Sequence, residues 1–421
     1  MIKKLLSALL TAMLCIAMLA GCAAAPAEAI VPAAQEPAAT QAPDAAELPA
    51  PKPSTVSPKE TYNDVPLVAT PFAKDSPDYY KSAFDTEYVN FKIVRSLPTA
   101  YTTESWKDYT KVCSRLPFID PEHIDAAAKG YIDACTAARA ALVQIKPFAD
   151  TAWFIWGENI PCAEDKTTLE FTYESWDYPT FKPFLVPYLL EDQMNVKGNI
   201  IVVAGGGYSQ RSNTGEGYPI AEDFNALGYN AYVLQRRVAP YSGKDVWMDM
   251  QRSIRYIRYN AEVMGLGGMD TMLATGFSGG GGTISGAIVN CYGDIQPTIY
   301  DSNYVPDAVD AVNSDLDVAI INYGPAYDLE AMHDGEPYNG YVTDNPNLPA
   351  VMINAGQIDT TVSPLYSLDL FRSLNGKTLV ELHVFANATH GFGAGQEGNN
   401  SIFWIPMADH FVDLFKELRA K

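Results

Sequence analysis

Residues 271–289 read TMLATGFSGGGGTISGAIV. The first part, Met272–Phe277, is an apolar strand pattern, and Gly280–Val289 is a run of small residues suited to a closely packed helix. Ser278 stands at the junction, inside Gly276-Phe277-Ser278-Gly279-Gly280. A serine on a sharp strand-to-helix turn is the setting of a nucleophile elbow. The glycines have a steric reason. Side chains two positions to either side of the serine would collide with the neighbouring strand and helix. A Gly-rich helix start can also cradle a phosphate, as in a dinucleotide fold. That reading fits poorly, because this run follows a middle strand and no acidic residue ends the next one where a ribose would need it.

Outward from the elbow, apolar runs recur with helical patterns between them. Strands are expected at Thr151–Ile155, Thr168–Tyr173, Asn199–Val203, Asn230–Leu234, Val318–Tyr323, Ala350–Ala355 and Leu379–Phe385. Several are continuously apolar, as strands buried on both faces are. Over Asp245–Met264, Trp247, Met250, Ile254, Ile257, Ala261 and Met264 recur three and four residues apart, which is one buried helical face. Arg252, Arg255 and Arg258 lie off that stripe and are expected on a solvated face. Ile405–Leu418 repeats the helical pattern with Met407, Phe411, Leu414 and Leu418. The alternation predicts an α/β fold over 151–421, a mostly parallel sheet flanked by helices. Residues 59–150 are expected to form a mostly helical N-terminal extension, with a helix within Pro121–Ile145 and no assignable chemistry.

Three further motifs fall at strand ends. Ala204-Gly205-Gly206-Gly207-Tyr208 follows Asn199–Val203. Backbone N–H groups fixed before reaction are suited to stabilising an oxyanion, so Gly206 and Gly207, with the amide of Gly279, are the candidate donors. A serine nucleophile needs a base, and the chain holds five histidines, at 123, 333, 383, 390 and 410. His390 is selected by its place in a loop past the last strand, followed by Gly391 and Gly393. Asp359, just beyond Ala350–Ala355, is the candidate carboxylate to orient it, with Asp328 as competitor. The order Ser278, Asp359, His390 is that of the α/β-hydrolase fold.

The ends of the chain concern location. Lys3 and Lys4 precede an apolar stretch, Leu5–Leu19, that closes on Leu19-Ala20-Gly21-Cys22, so residues 1–22 are expected to be a lipoprotein signal with Cys22 as the lipidated residue. Removing them takes the net charge from −21 to −23. Residues 23–58 hold 13 alanines and 8 prolines in 36 positions and no aromatic residue, which predicts an extended tether. The acidic balance, 50 Asp and Glu against 29 Lys and Arg, argues against nucleic acid and anionic membrane surfaces as partners. Contact with a membrane is expected only through the lipid anchor, and the location is extracytoplasmic. Cys113, Cys135, Cys162 and Cys291 match no zinc spacing, and four cysteines allow three pairings among which the sequence does not choose.

These residues together carry a resemblance. Residues 150–420 resemble α/β-hydrolase esterases of the group that includes carbohydrate acetylesterases, acetylxylan esterases and feruloyl esterases. The matching stretches are WGENIP at 156–161, GGGY at 205–208, Gly228-Tyr229-Asn230, Arg237-Val238-Ala239-Pro240, RYNAE at 258–262, GFSGGG at 276–281 and His390-Gly391-Phe392-Gly393. The sequence departs from that pattern in having Gly279 where alanine is common, Gly282 where a larger residue is common, and Arg236 in place of a tyrosine. The resemblance implies Ser278 as nucleophile, His390 as base, Asp359 as its acid partner and no cofactor or metal. It implies an esterase acting on short acyl groups of carbohydrate or other small esters, which the signal and tether would place, anchored, at a surface. A peptidase of the prolyl-oligopeptidase kind and a non-catalytic surface binding protein are the rival expectations.

Overall fold

The computed structural model describes residues 67, 69–163, 176–177, 181–241, 243–324 and 345–421. The signal and tether, Cys22, the expected strand Thr168–Tyr173, Asp328 and His333 lie outside the described residues.

Three helices come first: α1 (Tyr79–Val94), α2 (Thr103–Cys113) and α3 (Ala126–Ala140). The latter two begin at side-chain caps. Thr102 accepts from the Ser105 amide and Asp125 from the Ala128 amide, each satisfying an orphan N–H of a first turn. Eight strands then form one sheet: β1 (Trp153–Phe154), β2 (Phe184–Tyr188), β3 (Asn199–Val203), β4 (Asn230–Gln235), β5 (Met272–Phe277), β6 (Val318–Asn322), β7 (Ala350–Gly356) and β8 (Val380–Phe385). Their order is β1-β2-β4-β3-β5-β6-β7-β8. β2 runs antiparallel to both β1 and β4, and every pair from β4 onward is parallel. The connecting helices are α4 (Tyr218–Ala226), α5 (Gly243–Met264), α6 (Gly279–Asn290), α7 (Pro364–Leu374) and α8 (Trp404–Arg419).

The central strands are buried along their whole length, which is why β3 and β5 read cleanly from apolar runs. Two apolar clusters cover the two faces of the sheet. One contains Ile200, Val202, Phe224 and Trp404, and the N-terminal helices join it through Phe84, Tyr109 and Cys113. The other contains Ile201, Val203, Trp247, Ile254 and Ile257. Trp106 of α2 meets Tyr218 of α4 edge to face, so the extension packs directly on the sheet's own helices.

Three expectations need correction. The expected strand Thr151–Ile155 shrinks to β1, because Phe148–Thr151 closes a helical turn. β2 was not expected; Pro187 interrupts its pattern, although a strand near a sheet edge tolerates proline. Arg252 and Arg255 are not solvated but fully buried. The chain after α6 folds over that face of α5. There Arg252 binds Asp307 and Asp310, and Arg255 donates to the carbonyls of Gly293 and Ile295. The acids that pair with these arginines lie some fifty residues downstream, beyond the reach of helical periodicity.

Among the described residues no helix is long and apolar enough to cross a membrane, and no cluster of side chains could hold a metal ion. All four cysteines beyond Cys22 are free and buried. Burial pushes the thiols of Cys162 and Cys291 up to about 11 and about 12, so both are protonated at neutral pH.

Candidate active site

The elbow is strained where the sequence asks for strain. Ser278 has φ 49° and ψ −122°, a combination that costs energy for a residue with a side chain and that the surroundings must enforce. They do so from two directions. The Ser278 amide donates to the Asn322 carbonyl at the end of β6, and Gly282 donates back to the Ser278 carbonyl. A β-carbon at Gly276 would lie 2.5 Å from the Gly280 carbonyl oxygen, and one at Gly280 would lie 2.0 Å from that of Val203. The expected collision two positions to either side of the serine is therefore what the packing contains.

The loops after β7 and β8 converge on the same point. His390 Nε2 stands 2.9 Å from Ser278 Oγ. Its Nδ1 stands 2.7 Å from Asp359 Oδ2. The second oxygen, Asp359 Oδ1, accepts the amides of Thr361 and Val362, each at 2.8 Å. Those bonds fix a buried carboxylate that has one free direction, toward the imidazole. With Nδ1–H donated to Asp359, Nε2 carries the lone pair that can accept the serine proton. The other described histidines are bound elsewhere or lie elsewhere: His123 pairs with Asp120, His383 with Glu381 on β8, and His410 sits in α8.

The Gly-rich loop faces the elbow. A β-carbon at Gly279 would lie 3.4 Å from the Gly207 nitrogen and 3.2 Å from the Tyr208 nitrogen. The predicted partner Gly207 is thus beside Gly279. The second close nitrogen belongs to Tyr208, one residue beyond Gly207, and not to the expected Gly206. Gly206 instead packs against Gln210. The loop is pinned at Tyr208, whose carbonyl accepts the Ala239 amide at 2.7 Å. Arg236, one of the departures from the resemblance, is buried below this loop. It donates to the Ala204 carbonyl, and its guanidinium lies 5.3 Å from the Tyr208 ring centroid. Burial lowers its pKa to about 10.

Two residues that sequence reasoning did not single out tie the site together. Glu216 Oε2 accepts the Gly205 amide at 2.9 Å, and its Oε1 accepts the Tyr323 hydroxyl at 2.8 Å. The Tyr323 oxygen in turn accepts the Gly393 amide at 3.0 Å, and its ring lies edge-on to His390 at 4.9 Å. Burial, and then the Glu216 carboxylate, hold the Tyr323 phenol well above its ordinary pKa, so it remains a donor. One carboxylate thereby connects the Gly-rich loop to the histidine loop. The sequence signal was no more than a Glu placed eleven residues after Gly205.

No family model and no curated protein matches the chain. Among solved structures, the acetyl ester-xyloside bifunctional hydrolase of Caldicellulosiruptor lactoaceticus is 23% identical, with a TM-score of 0.50, over 63% of this chain and 97% of that one. A Thermogutta terrifontis esterase with bound butyrate is 22% identical, with a TM-score of 0.44, over 55% of this chain and 89% of that one. The carboxylesterase Cest-2923 of Lactobacillus plantarum is 19% identical, with a TM-score of 0.43, over 57% and 94%. The sheet order, the strained serine turn and the first of these likenesses define an α/β-hydrolase fold. Ser278, His390 and Asp359 meet at the carboxyl end of its strands.

Proposed function

We propose that this chain is a serine esterase that hydrolyses short-acyl carboxylic esters, acetyl esters of carbohydrates or similar small alcohols, from a lipid-anchored position outside the cytoplasm. The observation that carries the chemistry is the single imidazole bridging Ser278 and Asp359 at 2.9 and 2.7 Å. Ser278 Oγ attacks the ester carbonyl while His390 Nε2 takes its proton. The carbonyl oxygen becomes an oxyanion held by the amides of the Gly207 loop and Gly279. The C–O bond to the alcohol then breaks, and His390 returns the proton to the leaving oxygen. Water, deprotonated by the same nitrogen, hydrolyses the acyl-serine and releases the acid.

Replacing Ser278 by Ala tests this directly. Hydrolysis of an activated acetate ester should fall on the order of 10⁴-fold or more, because the three residues act as a unit. Turnover within tenfold of wild type would end the assignment. The same variant decides the rival of a non-catalytic binding protein. Wild type should be labelled by a fluorophosphonate probe and Ser278→Ala should not. The short-acyl reading rests on the resemblance. It expects kcat/KM to fall from acetate through butyrate to octanoate, since each methylene a small pocket cannot hold costs roughly 10–200-fold. Lipid anchoring rests on Leu19–Cys22 and the Ala/Pro-rich stretch behind it. It predicts that Cys22→Ser moves the protein from the membrane to the soluble fraction, because stable anchoring needs buried acyl chains.

A further inference from the structure

A cavity of about 390 Å³ lies beside the histidine loop, lined chiefly by Trp176, Gln210, Arg211, Ser212, Thr214 and Gly391. We propose that it is the subsite for the alcohol part of the ester, that this alcohol is a neutral sugar, and that Trp176 is the platform on which the sugar ring stacks. The proposal rests on the esterase reading above.

Position is the first argument. The general acid must reach the leaving oxygen, so the alcohol has to sit on the imidazole side of the nucleophile. The cavity shares Gly391 with the His390 loop and residues 210–212 and 214–216 with the segment that follows Gly205. A group bound there lies beside the loop that carries His390. Its volume falls within the ~300–1,000 Å³ usual for small-molecule sites.

The lining gives the chemical class. One wall is an indole. The others carry the side-chain amide of Gln210, the hydroxyls of Ser212 and Thr214, and two charges already engaged, Arg211 on Asp177 and Glu216 on the Gly205 amide and the Tyr323 hydroxyl. Among the described residues none of the Gln210, Ser212 and Thr214 side chains has a hydrogen-bond partner. A simple aliphatic alcohol would use none of them. A pyranose offers C–H groups to an aromatic face and a ring of hydroxyls to amide and hydroxyl partners.

The third argument is how firmly Trp176 is held, and it gives the N-terminal extension a task. Arg95, just past the end of α1, places its guanidinium 3.3 Å from the Trp176 ring centroid and donates to the Trp176 carbonyl at 2.7 Å. Lys92 donates to the next carbonyl, that of Asp177, at 3.2 Å. Arg211 grips the Asp177 carboxylate with both terminal nitrogens. Arg95 of the extension therefore covers one face of the indole, and Arg211 of the cavity's own wall fixes the neighbouring Asp177. Such prior ordering favours binding by lowering its entropic cost.

The test compares three acetate esters, acetylated xylobiose, ethyl acetate and phenyl acetate, on the full chain. In Trp176→Ala the ratio of kcat/KM for the sugar ester to that for ethyl acetate should drop at least tenfold, with the change in KM. Trp176→Phe should restore most of it, which separates stacking from misfolding. Acetylated xylobiose should bind Ser278→Ala in calorimetry at least tenfold more tightly than it binds Ser278→Ala/Trp176→Ala. A ratio within twofold of wild type, or equal calorimetric affinities, overturns the subsite. A larger loss on phenyl acetate than on the sugar ester overturns the sugar assignment. Wild type that cleaves ethyl acetate but neither cleaves nor binds acetylated xylobiose removes the subsite and leaves the esterase standing. If Ser278→Ala still cleaves these esters, the Ser278 assignment fails, and the kcat/KM ratio of Trp176→Ala against wild type still judges the subsite.

Discussion

Two buried arginine clusters hold loops against this sheet, and their charge balances differ. At the end of β4, Arg237 is fully enclosed and saturated. Its Nε and Nη2 lie on Asp249, and it also donates to the carbonyls of Pro161 and Asp245. Asp249 is equally occupied, accepting the Trp156 indole at 2.8 Å and the Arg237 amide at 2.9 Å. Burial works against the Arg237 charge, but Asp249 and Asp245 outweigh it and hold its pKa above the ordinary value. At the seam with the extension, Lys92, Arg95 and Arg211 surround Asp177, whose carboxylate binds Arg211 while Lys92 and Arg95 donate to the backbone carbonyls of Asp177 and Trp176. Here burial wins. It lowers Arg95 to about 9, with Arg211 adding repulsion, and Lys92 to about 8, with Arg95 adding repulsion. The first cluster is a closed staple for the 156–161 loop. The second tolerates surplus positive charge in order to present Trp176.

That contrast predicts opposite answers to the same operation, removal of one charge. The largest effect belongs to the balanced cluster. Asp249→Asn leaves the buried Arg237 guanidinium short of its anion and should cost about 3–5 kcal/mol in denaturant unfolding. A loss under 1 kcal/mol would show that the carbonyls alone satisfy Arg237 and would erase the distinction.

Glu216 supplies an intermediate case, a buried carboxylate bound only by neutral donors. Glu216→Gln keeps the shape but has one acceptor oxygen for two donors, so either the Gly205 amide or the Tyr323 hydroxyl loses its partner. Displacement of the Gly-rich loop or of His390 by a fraction of an ångström should lower kcat about 10- to 10²-fold. KM should change less, because neither loop's link to Glu216 is a contact with substrate. A change confined to KM, or none, would reduce the network to packing.

The same contrast marks what the amino-acid sequence could disclose. Ser278 and Asp359 were legible because each follows a buried strand, and buried strands write themselves as apolar runs such as Asn199–Val203 and Met272–Phe277, while His390 follows the partly exposed β8 and was legible from the glycines after it. The serine turn was legible because its close approaches exclude every side chain at Gly276 and Gly280. Pairings across the fold left no such mark. Arg252 with Asp307, Glu216 with Tyr323 and Arg95 with Trp176 join positions 55, 107 and 81 residues apart. A charge without its partner in view reads as solvated, which is how Arg252 and Arg255 were misplaced. A glycine triplet does not show which of its peptides lies nearest the elbow; in the fold the nitrogens of Gly207 and Tyr208 stand closest to where a β-carbon on Gly279 would be.

The smallest expected effect is also the one that separates the two clusters by sign. Lys92 is buried, with its ammonium 4.2 Å from the Tyr88 ring centroid and bonded to the Asp177 carbonyl. Its pKa in the folded chain is about 8, below the ordinary 10.5. Below pH 8 both folded and unfolded chains carry the charge, and the folded state bears the whole burial penalty. Between pH 8 and about 10.5 the unfolded chain still holds a proton that the folded chain has shed. Stability therefore rises with pH across that window. Lys92→Met removes the penalty together with a hydrogen bond worth roughly 1 kcal/mol. At pH 7 it should leave stability unchanged or raise it by up to about 1 kcal/mol. It should also flatten Lys92's share of the rise between pH 8 and 10, while the share due to Arg95 persists. Urea unfolding of wild type and variant at pH 7, 8, 9 and 10 measures both quantities. A variant that loses more than 1 kcal/mol at pH 7 and keeps the wild-type slope would mean that the seam needs its third cation, and that the two clusters obey one rule after all.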